Sequence, residues 1–233
     1  ENAGTGEFTA GGVVAPAPTA PQDIWCNNGA IKAIRPLEYL QSTGTQYIDT
    51  GIKQSDYAQN LIVEMDFQYT STSDGLYALG VVATNPYQFF MPLFLRSGYF
   101  YSNVGGSGTE RQLVTADTLR HTMVCNTKAG NITIDSGSPV SYTSNTANIN
   151  DYIYLFARNN NGAQANALIK IYSIKFKDGN GNLIRDMIPA LDANNIPCMY
   201  DKVEGKCYYN QGIYGCNSNS HRTIHSTVFA SRI

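Results

Sequence analysis

Strict alternation of apolar and polar residues runs through much of this chain and constrains its fold more than any other feature. In the stretch LIVEMDFQYT, residues 61–70, every second side chain is apolar and most of those between are polar or charged. This period of two predicts a β-strand with one buried face. The side chains predicted to be buried are Leu61, Val63, Met65, Phe67 and Tyr69.

A second stretch, ALIKIYSIKFKD at residues 167–178, alternates between apolar residues and lysines. Its predicted apolar side chains are Leu168, Ile171, Tyr172, Ile174 and Phe176. Turn residues such as Asp74-Gly75 and Glu204-Gly205 separate further short strands, and no stretch has the 3.6-residue apolar period of a long helix. The chain of 233 residues is therefore predicted to be all-β, a two-sheet antiparallel β-sandwich of the jelly-roll type.

The chain carries few charges, and this limits the partners that it is expected to bind. Only 15% of its residues are charged, its net charge is −2, and it has no run of basic residues, so nucleic acid is not an expected partner. The longest apolar stretch, residues 87–95, is interrupted by Gln88 and Pro92 and is too short to span a bilayer. We therefore expect no membrane-spanning segment.

The first 24 residues differ in composition from the rest of the chain. A strand-like segment precedes VVAPAPTAPQ at residues 13–22, which is small, uncharged and spaced by proline, as in an extended linker. The turn and strand residues of that segment are Asn2, Gly4, Glu7, Phe8 and Thr9. We therefore expect an N-terminal extended strand with a linker in residues 1–24, and one jelly-roll domain in residues 25–233.

The chain has five cysteines, an odd number, so at least one thiol stays outside any disulfide within the chain. Cys125 alternates like a buried strand residue and is predicted to be a small core side chain. A hairpin with its turn at residues 202–205 would place Cys198 diagonally from Cys207, about 7 Å away and at the limit for a disulfide. We therefore expect Cys207 to pair with Cys216, if any of these three pair.

Three motifs carry a resemblance to a known family. They are PLEYLQSTGTQYIDTGI at residues 36–52, IYSIKFKDGNGNLIRDMIPA at residues 171–190 and CMYDKVEGKCYYNQG at residues 198–212. In this order they resemble bacterial and phage surface domains of the concanavalin A-like (laminin G-like) lectin and glucanase jelly rolls. The resemblance implies two curved antiparallel sheets with a concave face, in a repetitive protein of an extracellular, cell-surface or virion-surface location.

The beginning of the chain resembles the end of such a domain. Residues 2–11, NAGTGEFTAG, match the run that closes the family's domains better than the residues after Asn210 do. The resemblance implies the last strand of a preceding copy, and a boundary left by processing is the other explanation. A spare closing strand of this kind would pair with the open sheet edge of another copy and join molecules head to tail into a filament.

The sequence EMDFQY at residues 64–69 raises the question of hydrolysis. Laminarinase-type glycoside hydrolases share the jelly-roll fold and use a strand that reads Glu-x-Asp-x-x-Glu, and a retaining mechanism needs two carboxyl groups about 5 Å apart. Glu64 and Asp66 match the first two positions, but Tyr69 occupies the third and cannot act as a carboxylic acid. We therefore predict that the protein is not an enzyme.

Cys207, Cys216, His221 and His225 offer thiol and imidazole groups to a metal. Their spacing matches no standard zinc site, and on a strand the two histidines would lie about 13 Å apart. We predict solvated histidines there, and we predict that His121 is a strand-edge residue.

Calcium is common among proteins of the resembled family and would need clustered oxygen ligands. Asp49, Asp56 and Asp151 are the candidates, but they form no recognisable binding loop. We therefore expect no cofactor, with calcium as the one alternative that the sequence leaves open.

Glycan binding is the function that we expect. Aromatic rings stack on the C–H surfaces of sugars, while amide and hydroxyl groups bind the sugar hydroxyl groups. The candidate glycan-binding residues are Tyr87, Phe89, Tyr99, Tyr101, Arg158, Asn159 and Asn160. Aromatic residues at a period of two are first of all typical of cross-strand core pairs, and the sequence RNNNG is first of all typical of a turn.

The sequence thus predicts a non-catalytic extracellular or virion-surface module that binds glycan in an adhesive role. The alternative is a structural subunit of a surface fibre, assembled by β-strand addition of the N-terminal segment.

Overall fold

The computed structural model of the protein describes residues 24–27, 30–57, 60–84, 86–106, 108–142, 148–211 and 229–232. Within these ranges, strands form nearly all of the regular structure, with one short 3-10 helix at Gln54–Tyr57. The strands are β1 (Ile24–Asn27), β2 (Ala30–Ala33), β3 (Arg35–Thr43), β4 (Ile48–Lys53), β5 (Ile62–Tyr69), β6 (Tyr77–Thr84), β7 (Tyr87–Arg96), β8 (Tyr99–Gly106), β9 (Glu110–Thr115), β10 (Arg120–Asn126), β11 (Asn131–Ile134), β12 (Val140–Ser141), β13 (Tyr152–Leu155), β14 (Arg158–Asn159), β15 (Ala163–Gln164), β16 (Leu168–Lys177), β17 (Leu183–Leu191), β18 (Pro197–Asp201), β19 (Lys206–Tyr209) and β20 (Phe229–Arg232).

The strands form two large sheets and a separate hairpin of β1 and β2. The larger sheet has the order β12-β11-β10-β5-β16-β3-β17-β18-β19, and β20 also pairs with β3. The smaller sheet has the order β15-β14-β6-β7-β8-β9, and β13 pairs with both β4 and β6. Nearly all neighbours are antiparallel, the pairing of β14 with β6 being parallel. The predicted all-β sandwich is confirmed, and the two sheets fit a jelly roll.

The main core lies between the inner faces of the two sheets. Strand β5 contributes Val63, Met65, Phe67 and Tyr69, each at most 2% exposed, as its alternating sequence predicts. Cys125 on β10 is also fully buried in this core, which confirms its predicted role. None of the helical structure in the described ranges is long and apolar enough to cross a membrane.

Strand β16 departs from the predicted pattern because it contains a β-bulge. Its register against β5 shifts between Ile171 and Ser173, so the extra residue changes which positions face the core. Ile169, Ile171, Ile174 and Phe176 are buried. The predicted core positions Leu168 and Tyr172 are only partly buried, and Tyr172 instead contacts Gln68 and Arg120.

The first and third sequence motifs meet directly in the fold. The backbone amide of Tyr47 donates to the Asn210 side chain at 3.2 Å, and the amide of Gln211 donates to the Tyr47 carbonyl at 2.8 Å. These bonds tie the segment that enters β4 to the segment that follows β19. The first and third motifs are therefore neighbours in space although about 160 residues separate them.

The predicted N-terminal strand and linker lie almost wholly outside the described residues. This holds for Asn2, Gly4, Glu7, Phe8 and Thr9, and for the whole of residues 1–23. The proposed assembly role of these residues therefore stays a prediction.

Candidate functional site

The outer face of the smaller sheet carries a second apolar cluster, away from the main core. The outer face of an antiparallel sheet is normally polar, so an apolar cluster there is unusual and makes this face the candidate binding surface. Its buried members are Val82, Met91 and Phe94, and its partly buried members are Tyr77, Phe89 and Tyr101.

Five of the side chains on this face follow one another across five adjacent strands. The guanidinium carbon of Arg158 lies 4.6 Å from the ring centroid of Tyr77. The Tyr77 ring stacks on Phe94 at 4.9 Å, and Phe94 contacts Tyr101 at 5.8 Å between centroids. The Tyr101 hydroxyl group then donates to Gln112 Oε1 at 3.2 Å. We call these five residues the aromatic row.

The pairing of the strands explains why the row is continuous. Tyr77 lies opposite Phe94, Phe94 opposite Tyr101, and Tyr101 opposite Gln112, so the row crosses β6, β7, β8 and β9 at one level. The register of β6 against β7 shifts on either side of Leu79, and the register of β7 against β8 shifts between Met91 and Phe94. These shifts leave Tyr77 and Phe94 outside while their neighbours enter the core.

The orientation of the rings decides what a ligand can touch. The planes of Tyr77 and Phe94 are only 15° apart, so each ring covers a face of the other, and Arg158 lies over the Tyr77 ring. Phe94 is only 2% exposed, so the edge of the Tyr77 ring is the part of this stack that can meet a ligand. Tyr87 differs because its side chain is 61% exposed, and it stacks on Phe89 at 6.3 Å with 14° between planes. It offers a ring face for stacking.

Polar groups surround the aromatic row. Arg96 on β7 forms an ion pair with Glu110 on β9, so the pair spans the intervening strand β8. Both side chains are well exposed, at 54% and 36%. With Gln112 and Arg158 they supply donors and acceptors beside apolar rings, the combination expected of a site that binds polyhydroxylated molecules.

The structure brings some of the predicted glycan-binding residues together. Tyr101 and Arg158 lie in the aromatic row, and Tyr87 and Phe89 form the neighbouring stack on β7. Tyr99 lies at the other end of that face, paired in register with Arg96. Tyr77, Phe94 and Gln112 belong to the same surface and are not among the predicted residues. Pro92 in the sequence FFMPLFL is the one local signal of the irregular strand that places Phe94 outside.

The two predicted asparagines hold a turn. Asn159 is 2% exposed, donates through Nδ2 to the Tyr152 carbonyl at 2.9 Å and accepts from the Gly162 amide at 3.1 Å. Asn160 donates to the Gln164 side chain at 3.1 Å. These bonds fix the short strand that carries Arg158.

The carboxyl groups considered for hydrolysis lie on the outer face of the larger sheet. Asp66 accepts two hydrogen bonds from Arg120, at 2.8 and 2.7 Å, and Glu64 forms an ion pair with Lys177. Tyr69 points the other way, into the core, where burial raises the pKa of its hydroxyl group and the hydroxyl donates to the Leu76 carbonyl. The three side chains do not share a face.

The candidate calcium ligands do not form one cluster. Asp49 accepts from the Gly51 amide at 2.8 Å, and burial, with the nearby negative charge of Asp151, raises the pKa of its carboxyl group. Asp56 lies in the 3-10 helix. In the part of the chain that the structure describes, no three His, Cys, Asp or Glu side chains are placed to hold a metal. Cys216, His221 and His225 lie outside the described residues.

The chain was compared with known proteins by sequence. No protein-family model matches it, and no curated protein matches it. The fold thus defines the class, a two-sheet β-sandwich, and the family resemblance of the three motifs stays a prediction.

Proposed function

We propose that this protein is a non-catalytic carbohydrate-binding module of a cell or virion surface. We propose further that it binds glycan across the aromatic row and the Tyr87–Phe89 stack. The observation that supports this proposal is the continuous run of aromatic side chains on the outer face of the smaller sheet. A sheet face of this kind is usually polar, and aromatic rings flanked by amide and guanidinium groups suit sugars.

The dimensions of the row suggest the size of the ligand. From β14 to β9 it crosses four strand spacings, or about 19 Å. That length fits several sugar units in a chain better than it fits one terminal sugar. The flanking charges of Arg96 and Glu110 are paired with each other, and the Arg158 guanidinium lies over the Tyr77 ring, so the surface favours a neutral oligosaccharide over a strongly acidic one.

Binding to an array of neutral and charged glycans tests the proposal. We expect the labelled full chain to give a saturable signal on a subset of neutral oligosaccharides, and we expect the free oligosaccharide to compete for it. The heat-denatured chain serves as the control for nonspecific adsorption. A signal no stronger than that of the control on every glycan would contradict the proposal.

The fibre alternative is tested separately. It requires the N-terminal segment as the donor strand, so the full-length chain would form assemblies and a variant lacking residues 1–12 would not. Light scattering measures the two masses, and a monomeric full-length chain rules the alternative out.

A further inference from the structure

Cys198 on β18 and Cys207 on β19 lie together on the outer face of the larger sheet. Several strands separate them from Glu64 and Asp66 on β5. In the hairpin of β18 and β19, Tyr200 is directly opposite Cys207 and Cys198 is directly opposite Tyr209. Cys198 and Cys207 are therefore diagonal neighbours on one face, as the sequence predicts. Their thiol groups are joined by a hydrogen bond.

The two thiols differ in their access to solvent. Cys198 is fully buried in a small apolar cluster with Ile34, Ala190 and Tyr200, against which Cys207 packs from the side. Cys207 is only partly buried and lines a cavity of about 780 Å³. A small reagent in the cavity can reach Cys207, whereas Cys198 has no exposed surface.

This arrangement matches that of an attacking thiol and a resolving thiol. The hydrogen bond to Cys207, together with burial, raises the pKa of Cys198, which keeps that thiol protonated and unreactive toward solvent. The exposed position of Cys207 gives it the first contact with an oxidant. The diagonal spacing is near the upper limit for a disulfide, and the hydrogen bond between the two thiols brings their side chains toward each other across it.

We propose that Cys198 and Cys207 form a redox-sensitive pair that small disulfides convert into a cross-strand disulfide. The Cys207 thiolate attacks one sulfur of a disulfide RSSR, which forms a mixed disulfide and releases RS⁻. The Cys198 sulfur, giving up its proton, then attacks Cys207, and the second RS⁻ leaves. In sum, two protein thiols and RSSR give one protein disulfide and two RSH. Cys216 lies outside the described residues, so the Cys207–Cys216 bond expected from the sequence stays a prediction and is the competing outcome of the test below.

Peptide mapping after treatment with oxidised glutathione tests the proposal. The reduced full chain is incubated with oxidised glutathione, quenched in acid, alkylated under denaturing conditions and cleaved with trypsin without reduction. Cleavage after Arg185, Lys202, Lys206 and Arg222 places Cys198 in peptide 186–202, and both Cys207 and Cys216 in peptide 207–222.

We expect peptides 186–202 and 207–222 to be linked. The link should persist in Cys216→Ser and disappear in Cys207→Ser. Cys125, fully buried and 3.7 Å from the Tyr142 hydroxyl group, is the internal control and should be recovered alkylated.

Three results would overturn the proposal. One is a closed loop within peptide 207–222, which means that Cys207 pairs with Cys216. Another is a link that disappears in Cys216→Ser. The third is a stable glutathione adduct on Cys207 beside alkylated Cys198.

A second readout needs no linked peptide. The oxidised wild-type chain should melt at a higher temperature than the reduced chain, and Cys207→Ser should show no such difference.

Discussion

Arg185 on β17 donates to the Glu204 carboxylate at 2.8 Å, which joins two of the sequence motifs that carry the family resemblance. Beneath this pair lies Asp201, whose side chain is fully buried. Its carboxylate accepts from the backbone amides of Asp186, Val203 and Glu204 at 2.9 to 3.2 Å. These contacts give the motif residues around β17 and the turn before β19 a structural role in holding β17 against the β18–β19 hairpin.

Replacement of Asp201 tests this explanation. Asp201→Ala leaves three backbone amides without their acceptor and removes the negative charge beside Arg185, so we expect the free energy of unfolding to fall by about 3 kcal/mol. Urea unfolding measures it. Asp74→Ala, at an exposed turn position, is the matched control and should change the value by less than about 0.5 kcal/mol. A loss of under about 1 kcal/mol for Asp201→Ala would show that the turn does not depend on this carboxylate.

His121 binds Asp117 and Asp135 at the edge of the core, and we call these three residues the clamp. The clamp makes the stability of the fold depend on pH. Its ring packs against Phe67 and Phe100, at 5.9 and 5.4 Å between centroids. Its two nitrogens contact Asp135 at 2.7 Å and Asp117 at 2.8 Å. His121 lies near the start of β10, a strand with neighbours on both sides, and the prediction of a strand-edge residue does not foresee the two carboxylates. Burial alone would lower the pKa of His121, but the two hydrogen-bonded carboxylates outweigh it and raise the pKa above 6.5.

The pKa shifts of the three clamp residues decide the pH range in which the clamp stabilises the fold. Because the pKa of His121 is raised, its contribution is complete below pH 6.5 and is lost as pH rises through the higher folded value. The hydrogen bond from His121 Nε2 lowers the pKa of Asp117. Burial would raise the pKa of Asp135, but the hydrogen bonds from His121 Nδ1 and Thr122 outweigh it and lower the pKa. Their contributions are therefore lost as pH falls below 3.8. Stability from the clamp is greatest between these limits.

The free energy of unfolding of the wild type and of His121→Gln, measured at two pH values, shows how much the clamp contributes to stability. Between about pH 5.5 and pH 8.5 the wild type should lose more stability than the variant, because only the wild type loses the charged imidazole. Other titrating groups are shared by the two proteins and cancel in the difference. Equal losses in the two proteins would mean that His121 is not charged in the folded state at the lower pH.

We expect no hydrolysis of β-glucans. Glu64 and Asp66 are bound by Lys177 and Arg120, and Tyr69 lies on the opposite face of β5. A reducing-sugar assay on β-glucans should give the same background for the wild type and for Glu64→Gln. Turnover by the wild type that disappears in Glu64→Gln would show that the protein is an enzyme after all.

The alternation of apolar and polar residues was enough to predict the strands, but not which side chains lie on the outer faces of the sheets. On β5 the alternation is unbroken, so Val63 to Tyr69 are buried as expected. On β16 a bulge moves Tyr172 to the outer face, and no residue type in the stretch signals it. The aromatic row depends on the same kind of shift, and on the register that sets Tyr77 opposite Phe94. Bulges and register depend on how neighbouring strands pack and do not follow from the alternation within one strand, so the sequence alone predicts Tyr101 and Arg158 but not their neighbours.

Tyr101 and Tyr172 form a matched pair for testing the binding surface. Each is a partly buried tyrosine on the outer face of a sheet, packed against another aromatic ring. Each donates its hydroxyl hydrogen to a glutamine on an adjacent strand, Gln112 for Tyr101 and Gln68 for Tyr172. They differ in the sheet that carries them. Loss of either ring should therefore have a similar effect on folding and a different effect on binding.

The most direct test of the proposed function is the affinity of Tyr101→Ala and Tyr172→Ala for the oligosaccharide that gives the strongest array signal. Isothermal titration calorimetry measures it at one temperature for the wild type and both variants. We predict that Tyr101→Ala binds at least about tenfold more weakly and that Tyr172→Ala binds like the wild type. Equal affinity of Tyr101→Ala and the wild type, or a loss confined to Tyr172→Ala, would contradict the assignment of the aromatic row as the glycan-binding surface.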